Sequence, residues 1–141
     1  MTTVQQRTAT GAIVDLFFER FASGDLPGLL KLFAGRVDFR VAGSPDVPWT
    51  GTRSTKEEIS AFFEVFPEVL TEPQGFVLHA RLIDGQHAVV LAESAFGVLA
   101  TKKTFTHAYA LHFTVVDGKI TRYHMYEDSY AIAEAFTPLT R

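Results

Sequence analysis

The chain has 141 residues, 47% of them hydrophobic, the size of one ordinary domain with a core of its own, and the expectation is a single domain over residues 1–141. A formal net charge of −3 argues against a nucleic-acid partner, which needs clustered Lys and Arg to displace counterions from phosphates. Cysteine is absent, which removes disulfides, thiolate nucleophiles and thiolate metal sites. The opening stretch MTTVQQRTAT has no basic segment leading into an apolar run, and no stretch is apolar for the width of a bilayer. A soluble, cytoplasmic protein without a membrane partner is therefore expected. There are 13 Phe against one Trp and four Tyr, which reads equally as a Phe-rich core or as an aromatic-lined cavity.

In chain order, TGAIVDLFFERFA (10–22) places Ile13, Val14, Phe17 and Phe21 at helical spacing, and Ser23-Gly24-Asp25 is a stop. LPGLLKLFA (26–34) fits a short second helix with Pro27 in its first turn. RVDFRVAG (36–43) alternates Val37, Phe39 and Val41 against Asp38 and Arg40, the period of a half-buried strand. SPDVPWTG then breaks regular structure. A third helix starts in STKEEISAFFEVFPEVL (54–70), where Ser54 followed by Glu57 spells a capping box, Ile59, Phe62, Phe63 and Phe66 form the apolar stripe, and Pro67 kinks or ends it. The remainder reads as strands over about 75–83, 87–98, 104–116 and 119–127, with turns at Asp84-Gly85 and Asp117-Gly118, and a short helix from about 129. Helices followed by a long meander make an α+β pattern.

The segments GDLPGLLKLFAGRVDFRVAG, PWTGTRSTKEEISAFF and FTVVDGKITRYHMYEDSYAIAEAF resemble the SnoaL-like, ketosteroid isomerase-related proteins of the nuclear transport factor 2-like superfamily. The resemblance spans nearly the whole chain. It implies a cone in which a strongly curved antiparallel sheet wraps around three N-terminal helices, an apolar pocket opening at one end, a small hydrophobic ligand and a homodimer. It says less about activity, since the fold hosts isomerases, polyketide cyclases, dehydratases, epoxide hydrolases and noncatalytic binding or dimerisation modules.

Ketosteroid isomerisation needs a carboxylate base, a tyrosine and a protonated aspartic acid. The matching positions here carry Phe17, Val41 and Leu111, none of which can handle a proton. Arg81 has no carboxylate beside it on its strand, so the Asp-Arg-Asp set of limonene epoxide hydrolases is missing too. No Gly-x-Ser-x-Gly elbow, Gly-rich phosphate loop or His-x-His pair is present, and neither a metal nor a cofactor is expected.

The polar end of VDGKITRYHMYEDSY is the remaining chemical candidate. A bulged Asp117-Gly118 turn sets His107 across from Glu127, Tyr109 across from Met125 and Leu111 across from Tyr123; a tight turn sets His107 across from Asp128. Either way a histidine meets a carboxylate, a tunable acid or base, with a structural ion pair as the alternative. Adjacent strand residues point to opposite faces, so only one of the two carboxylates can turn inward. In SnoaL-like cyclases an aspartate at the end of this strand is the base, and Asp128 matches it; Asp128 is equally a natural N-cap for the last helix. The candidate catalytic set is thus His107, Glu127 and Asp128. The side chains expected to line a pocket are Phe17, Phe21, Trp49, Tyr109, Leu111, Phe113, Tyr123 and Met125. Acid/base isomerisation or cyclisation of a small hydrophobic carbonyl compound is the leading enzymatic reading, and a noncatalytic ligand-binding or dimerisation module the other.

Overall fold

A computed structural model describes residues 2–138. The first helix, α1 (Thr3–Ala22), begins seven residues before the expected segment 10–22 does, because Thr2 and Gln5 cap each other: Thr2 Oγ1 accepts from the Gln5 N–H at 3.1 Å, and Gln5 Oε1 accepts from the Thr2 N–H at 2.9 Å. Its first two turns are carried by this cap more than by burial, since Val4, Arg7 and Thr8 are all exposed. Then come α2 (Leu26–Leu30), β1 (Phe33–Val41), β2 (Gly51–Arg53) and α3 (Lys56–Val69). Helix α2 is shorter than its sequence suggests, because Phe33 already belongs to β1.

The capping box of α3 is shifted by one residue from the expected pair: Thr55 is the N-cap and Glu58 reaches back to the N–H groups of both Ser54 and Thr55. One acceptor satisfying two donors outcompetes the Ser54–Glu57 alternative. Pro67 lies inside the last turn, yet the helix continues to Val69. The hydrogen bond that a proline cannot make is outweighed here by burial of the Ile59, Phe62 and Phe63 stripe.

The meander follows as β3 (Gly75–Asp84), β4 (His87–Gly97), β5 (Thr104–Val116) and β6 (Lys119–Glu127), and α4 (Ser129–Phe136) closes the described chain. All six strands form one open sheet in the order β2-β1-β6-β5-β4-β3. The sheet is mixed rather than wholly antiparallel: β1 and β6 run parallel, with Phe39 beside Tyr123 and Val41 beside Met125. No hairpin joins this pair, so nothing in the connection forces the antiparallel sense that the resemblance suggested.

The inner face of the sheet meets α1 and α3 across an aromatic core. Phe17 of α1 packs edge-on against Phe113 at 5.0 Å between ring centroids and also touches Phe33, Phe63 and Tyr123. Phe39 and Tyr123 stack across the parallel pair at 4.3 Å. Such contacts add roughly 0.5–1.5 kcal/mol each beyond the area they bury. The abundant phenylalanine thus fills the space between helices and sheet.

Candidate functional site

The hairpin between β5 and β6 turns on Asp117 (φ 51°) and Gly118 (φ 75°), the two successive left-handed residues of a type I′ turn. Val116 pairs with Lys119, and the register then shifts between Thr114 and Val115, leaving Thr121 as an extra residue on β6. Beyond this bulge Tyr109 pairs with Glu127, Leu111 with Met125 and Phe113 with Tyr123. Both expected registers are corrected by this arrangement. His107 is set diagonally past the end of β6, and its direct neighbour on β4 is Ser94.

The polar side chains converge all the same. His107 Nδ1 lies 3.6 Å from Glu127 Oε1, with only 7% and 4% of the two side chains exposed. That gap is too long for a hydrogen bond, and His107 Nδ1 has no partner among the described residues. Glu127 Oε2 accepts from the indole N–H of Trp49 at 2.9 Å. Trp49 sits in the loop between β1 and β2, its ring edge-on to Phe66 and Phe136 and its carbonyl held by the Arg53 guanidinium at 2.9 Å. Arg53 in turn lies over the Phe62 ring at 4.8 Å. Ser94 Oγ donates weakly to the Tyr109 hydroxyl at 3.4 Å, which leaves the phenolic hydrogen for another acceptor.

Burial governs the charge states. Loss of solvent pushes Glu127 up to about 7, with the Trp49 hydrogen bond pulling weakly the other way. The same loss pulls His107 down to about 4, opposed by the charge of Asp128. Burial also raises Tyr109, so it stays a phenol donor at neutral pH. The site therefore holds a neutral imidazole beside a carboxyl that exchanges its proton near pH 7, an acid/base group matched to physiological pH.

The two carboxylates of the strand end divide as alternation requires. Glu127 is inward, while exposed Asp128 caps α4 by accepting from the Ala131 N–H at 3.1 Å. Phe17, Leu111, Phe113 and Tyr123 are at most 3% exposed and belong to the packed core, whereas Phe21 is 46% exposed at the end of α1. Tyr109 and Met125 are half-buried beside the core. The structure carries one open groove between α1 and β3 and another along Arg40, Pro45 and Thr52, and none of the side chains expected to line a pocket borders either. Glu93 faces outward and pairs with His79, and Arg81 pairs with Asp15 of α1 at 3.3 Å. On the outer face, His87 and His112 share a 3.0 Å contact and His124 meets Asp38 at 2.9 Å. Sequence reasoning missed Ser94; strand alternation puts it on the face of Ala92 and Phe96 and opposite Glu93, but a lone serine in a strand carries no chemical signal by itself.

With this geometry in view, residues 14–123 match the SnoaL-like domain. The chain belongs to the SnoaL-like family. No protein of curated function matches it. Among solved structures, a nuclear transport factor 2-like protein from Burkholderia xenovorans aligns with this SnoaL-like chain at a TM-score of 0.82 and 23% identity, over 93% of this chain and 98% of its own. TerC, co-crystallised with polyporic acid, aligns at 0.74 and 22%, over 91% and 98%. A protein of Pseudomonas putida provisionally named a polyketide cyclase aligns at 0.69 and 20%, over 87% and 94%. At these identities the likeness shows the shared α+β cone and not a shared reaction.

Proposed function

We propose that this SnoaL-like protein performs acid/base isomerisation or cyclisation on a small, hydrophobic carbonyl compound, with Glu127 as the group that moves the proton. The observation that carries the reading is a nearly fully buried carboxyl held by the Trp49 indole at 2.9 Å and set 3.6 Å from the equally buried His107, an environment that pushes the carboxyl up to about 7. In its ionised form Glu127 removes a proton from the carbon next to the carbonyl and, now an acid, returns it at another carbon. The Tyr109 hydroxyl donates to the carbonyl oxygen as negative charge develops there. His107 supplies a polar, uncharged neighbour that accepts a hydrogen bond from the protonated carboxyl as the gap closes. The named cyclase among the structural neighbours and the one co-crystallised with polyporic acid are consistent with a carbonyl-bearing ligand. The active form in this reading is a homodimer, each copy taking its own ligand.

The near-complete burial of His107 and Glu127 favours a second reading, a noncatalytic module in which the pair closes one end of the core. One experiment separates the two. Native mass spectrometry of the purified protein, followed by 13C NMR titration of the Glu127 carboxyl with and without any copurified compound, should show a bound small molecule that displaces the carboxyl pKa. A ligand that leaves Glu127 unmoved, or a carboxyl titrating at an ordinary 4 to 5, would overturn the catalytic assignment.

A further inference from the structure

The groove between α1 and β3 lies apart from the Glu127 site and has the makings of a separate site. It encloses about 730 Å³, within the range of small-molecule sites. Two guanidiniums line it, Arg7 and Arg81, against one carboxylate, Asp15, in a chain whose overall charge is negative. Asp15 is already engaged: its Oδ1 sits 3.3 Å from Arg81 Nε and fixes the guanidinium from the helix side. Beyond that contact the Arg81 side chain makes no hydrogen bond among the described residues, and it remains 37% exposed in the groove wall. Arg7, one helical turn before Gly11, forms no ion pair among the described residues, so its charge is not cancelled locally.

Gly11 gives the groove its shape. A Cβ there would stand 2.8 Å from Arg81 Nη1 and 3.0 Å from Ile83 Cδ1, so the buried glycine is what lets the guanidinium approach the helix this closely. Ile83 and Ala12 supply an apolar floor and side. Because β3 is the last strand of the sheet, no further strand closes the groove from that side.

We propose that this groove binds a small organic carboxylate carrying a short apolar body. The carboxylate takes the planar N–H fork of Arg81, a geometry that guanidinium and carboxylate share, with Arg7 adding charge at the rim. The apolar body lies along Ile83 and Ala12. Net positive charge selects an anion, the fork selects a planar one, and the openness of the groove sets a modest, salt-sensitive affinity.

The test is a titration of the 15N-labelled full-length protein with hexanoate, followed by backbone amide shifts, with hexanamide and inorganic phosphate as parallel probes. Hexanoate should saturate, with the largest shifts at Gly11, Arg81 and Ile83 and none at Glu127. Hexanamide lacks the charge and inorganic phosphate lacks the apolar body, so both should bind about tenfold more weakly or worse. Gly11→Ala, which displaces Arg81 without removing its charge, should weaken hexanoate about tenfold; Arg7→Gln, which leaves the Arg81–Asp15 pair intact, should weaken it severalfold. Failure of hexanoate to saturate at millimolar concentrations overturns the proposal, as does equal binding of hexanamide or indifference to both substitutions. Phosphate binding as tightly as hexanoate would show a general anion site and overturn the carboxylate assignment. None of these outcomes bears on Glu127, whose titration is read independently.

Discussion

The indole N–H of Trp49 donates to Oε2 of Glu127 across 2.9 Å, tying the loop between β1 and β2 to the last residue of β6. A donor aimed at the carboxylate favours its ionised form, so this bond restrains a pKa that burial drives upward. Trp49→Phe keeps the aromatic packing and deletes the donor. The Glu127 pKa should then rise above its present value of about 7, read by 13C NMR of the side-chain carboxyl. A fall, or no change, would mean that the bond does not hold the ionised form.

Stability should depend on pH with opposite signs at the two members of the pair. Glu127 binds its proton more tightly folded, near 7, than at its ordinary 4.5, so its contribution is present at low pH and is lost as pH rises through that window. His107, lowered from 6.5 to about 4, binds its proton more tightly unfolded, so stability is lost as pH falls from 6.5 toward 4. Glu127→Gln removes only the first effect. Relative to the parent, the variant should gain roughly 3 kcal/mol between pH 4 and pH 8. Urea unfolding at both pH values would reveal parallel curves if Glu127 titrated normally.

The His107 titration should follow Asp128 and ignore Glu127. Glu127 still holds its proton where His107 titrates, so Glu127→Gln changes no charge there, whereas Asp128 is the charge that raises His107. Asp128→Asn should therefore lower the His107 pKa further. The same residue caps α4, and Asp128→Ala should cost about 1 kcal/mol, seen as faster hydrogen exchange at Ala131. A His107 that responds to Glu127→Gln would place a charged carboxylate beside it and contradict this ordering.

Phe113 is fully buried and packs against Phe17, Phe18 and Tyr123. Phe113→Ala should cost roughly 3 to 5 kcal/mol. Chemical denaturation giving less than about 1 kcal/mol would mean the inner face of β5 borders open space and not a packed core.

A Δ5-3-ketosteroid should not be converted to its conjugated isomer at an enzymatic rate. The proton-handling trio of that reaction is replaced by Phe17, Val41 and Leu111, all buried among apolar side chains. Turnover above about 1 per second, followed by ultraviolet absorbance, would refute the assignment of those positions.

Strand limits and the turn at Asp117-Gly118 were readable because Gly and Asp punctuate an alternating pattern, and β5, β6 and α4 begin where that pattern places them. The bulge at Thr121 was not readable, since no residue type announces it. Its effect on the site was nonetheless small. The actual pairing differs from the bulged-turn expectation by two residues, and an even shift preserves the face on which every side chain lies. His107, Tyr109 and Glu127 thus share the inner face in both arrangements, while an odd shift would have exchanged Glu127 for Asp128. The role of Trp49 lay beyond the sequence for a different reason: its partner is 78 residues away, and only the three-dimensional return of β6 past the β1–β2 loop brings indole and carboxyl together.

The parallel pairing of β1 with β6 also constrains how the chain can be made. Phe39 waits for Tyr123, so during synthesis from the N-terminus β1 emerges long before its inner neighbour exists and holds only the three-residue strand β2 on its other side. The aromatic rings of α1, β1 and α3 have no sheet to close on until β5 and β6 follow. Folding is thus dominated by contacts between distant parts of the sequence, which slows it and leaves apolar surface exposed in partial chains. Nascent chains stalled before residue 119 should remain protease-sensitive along their whole length and recruit chaperones, while those extended past residue 136 should become protected in one step.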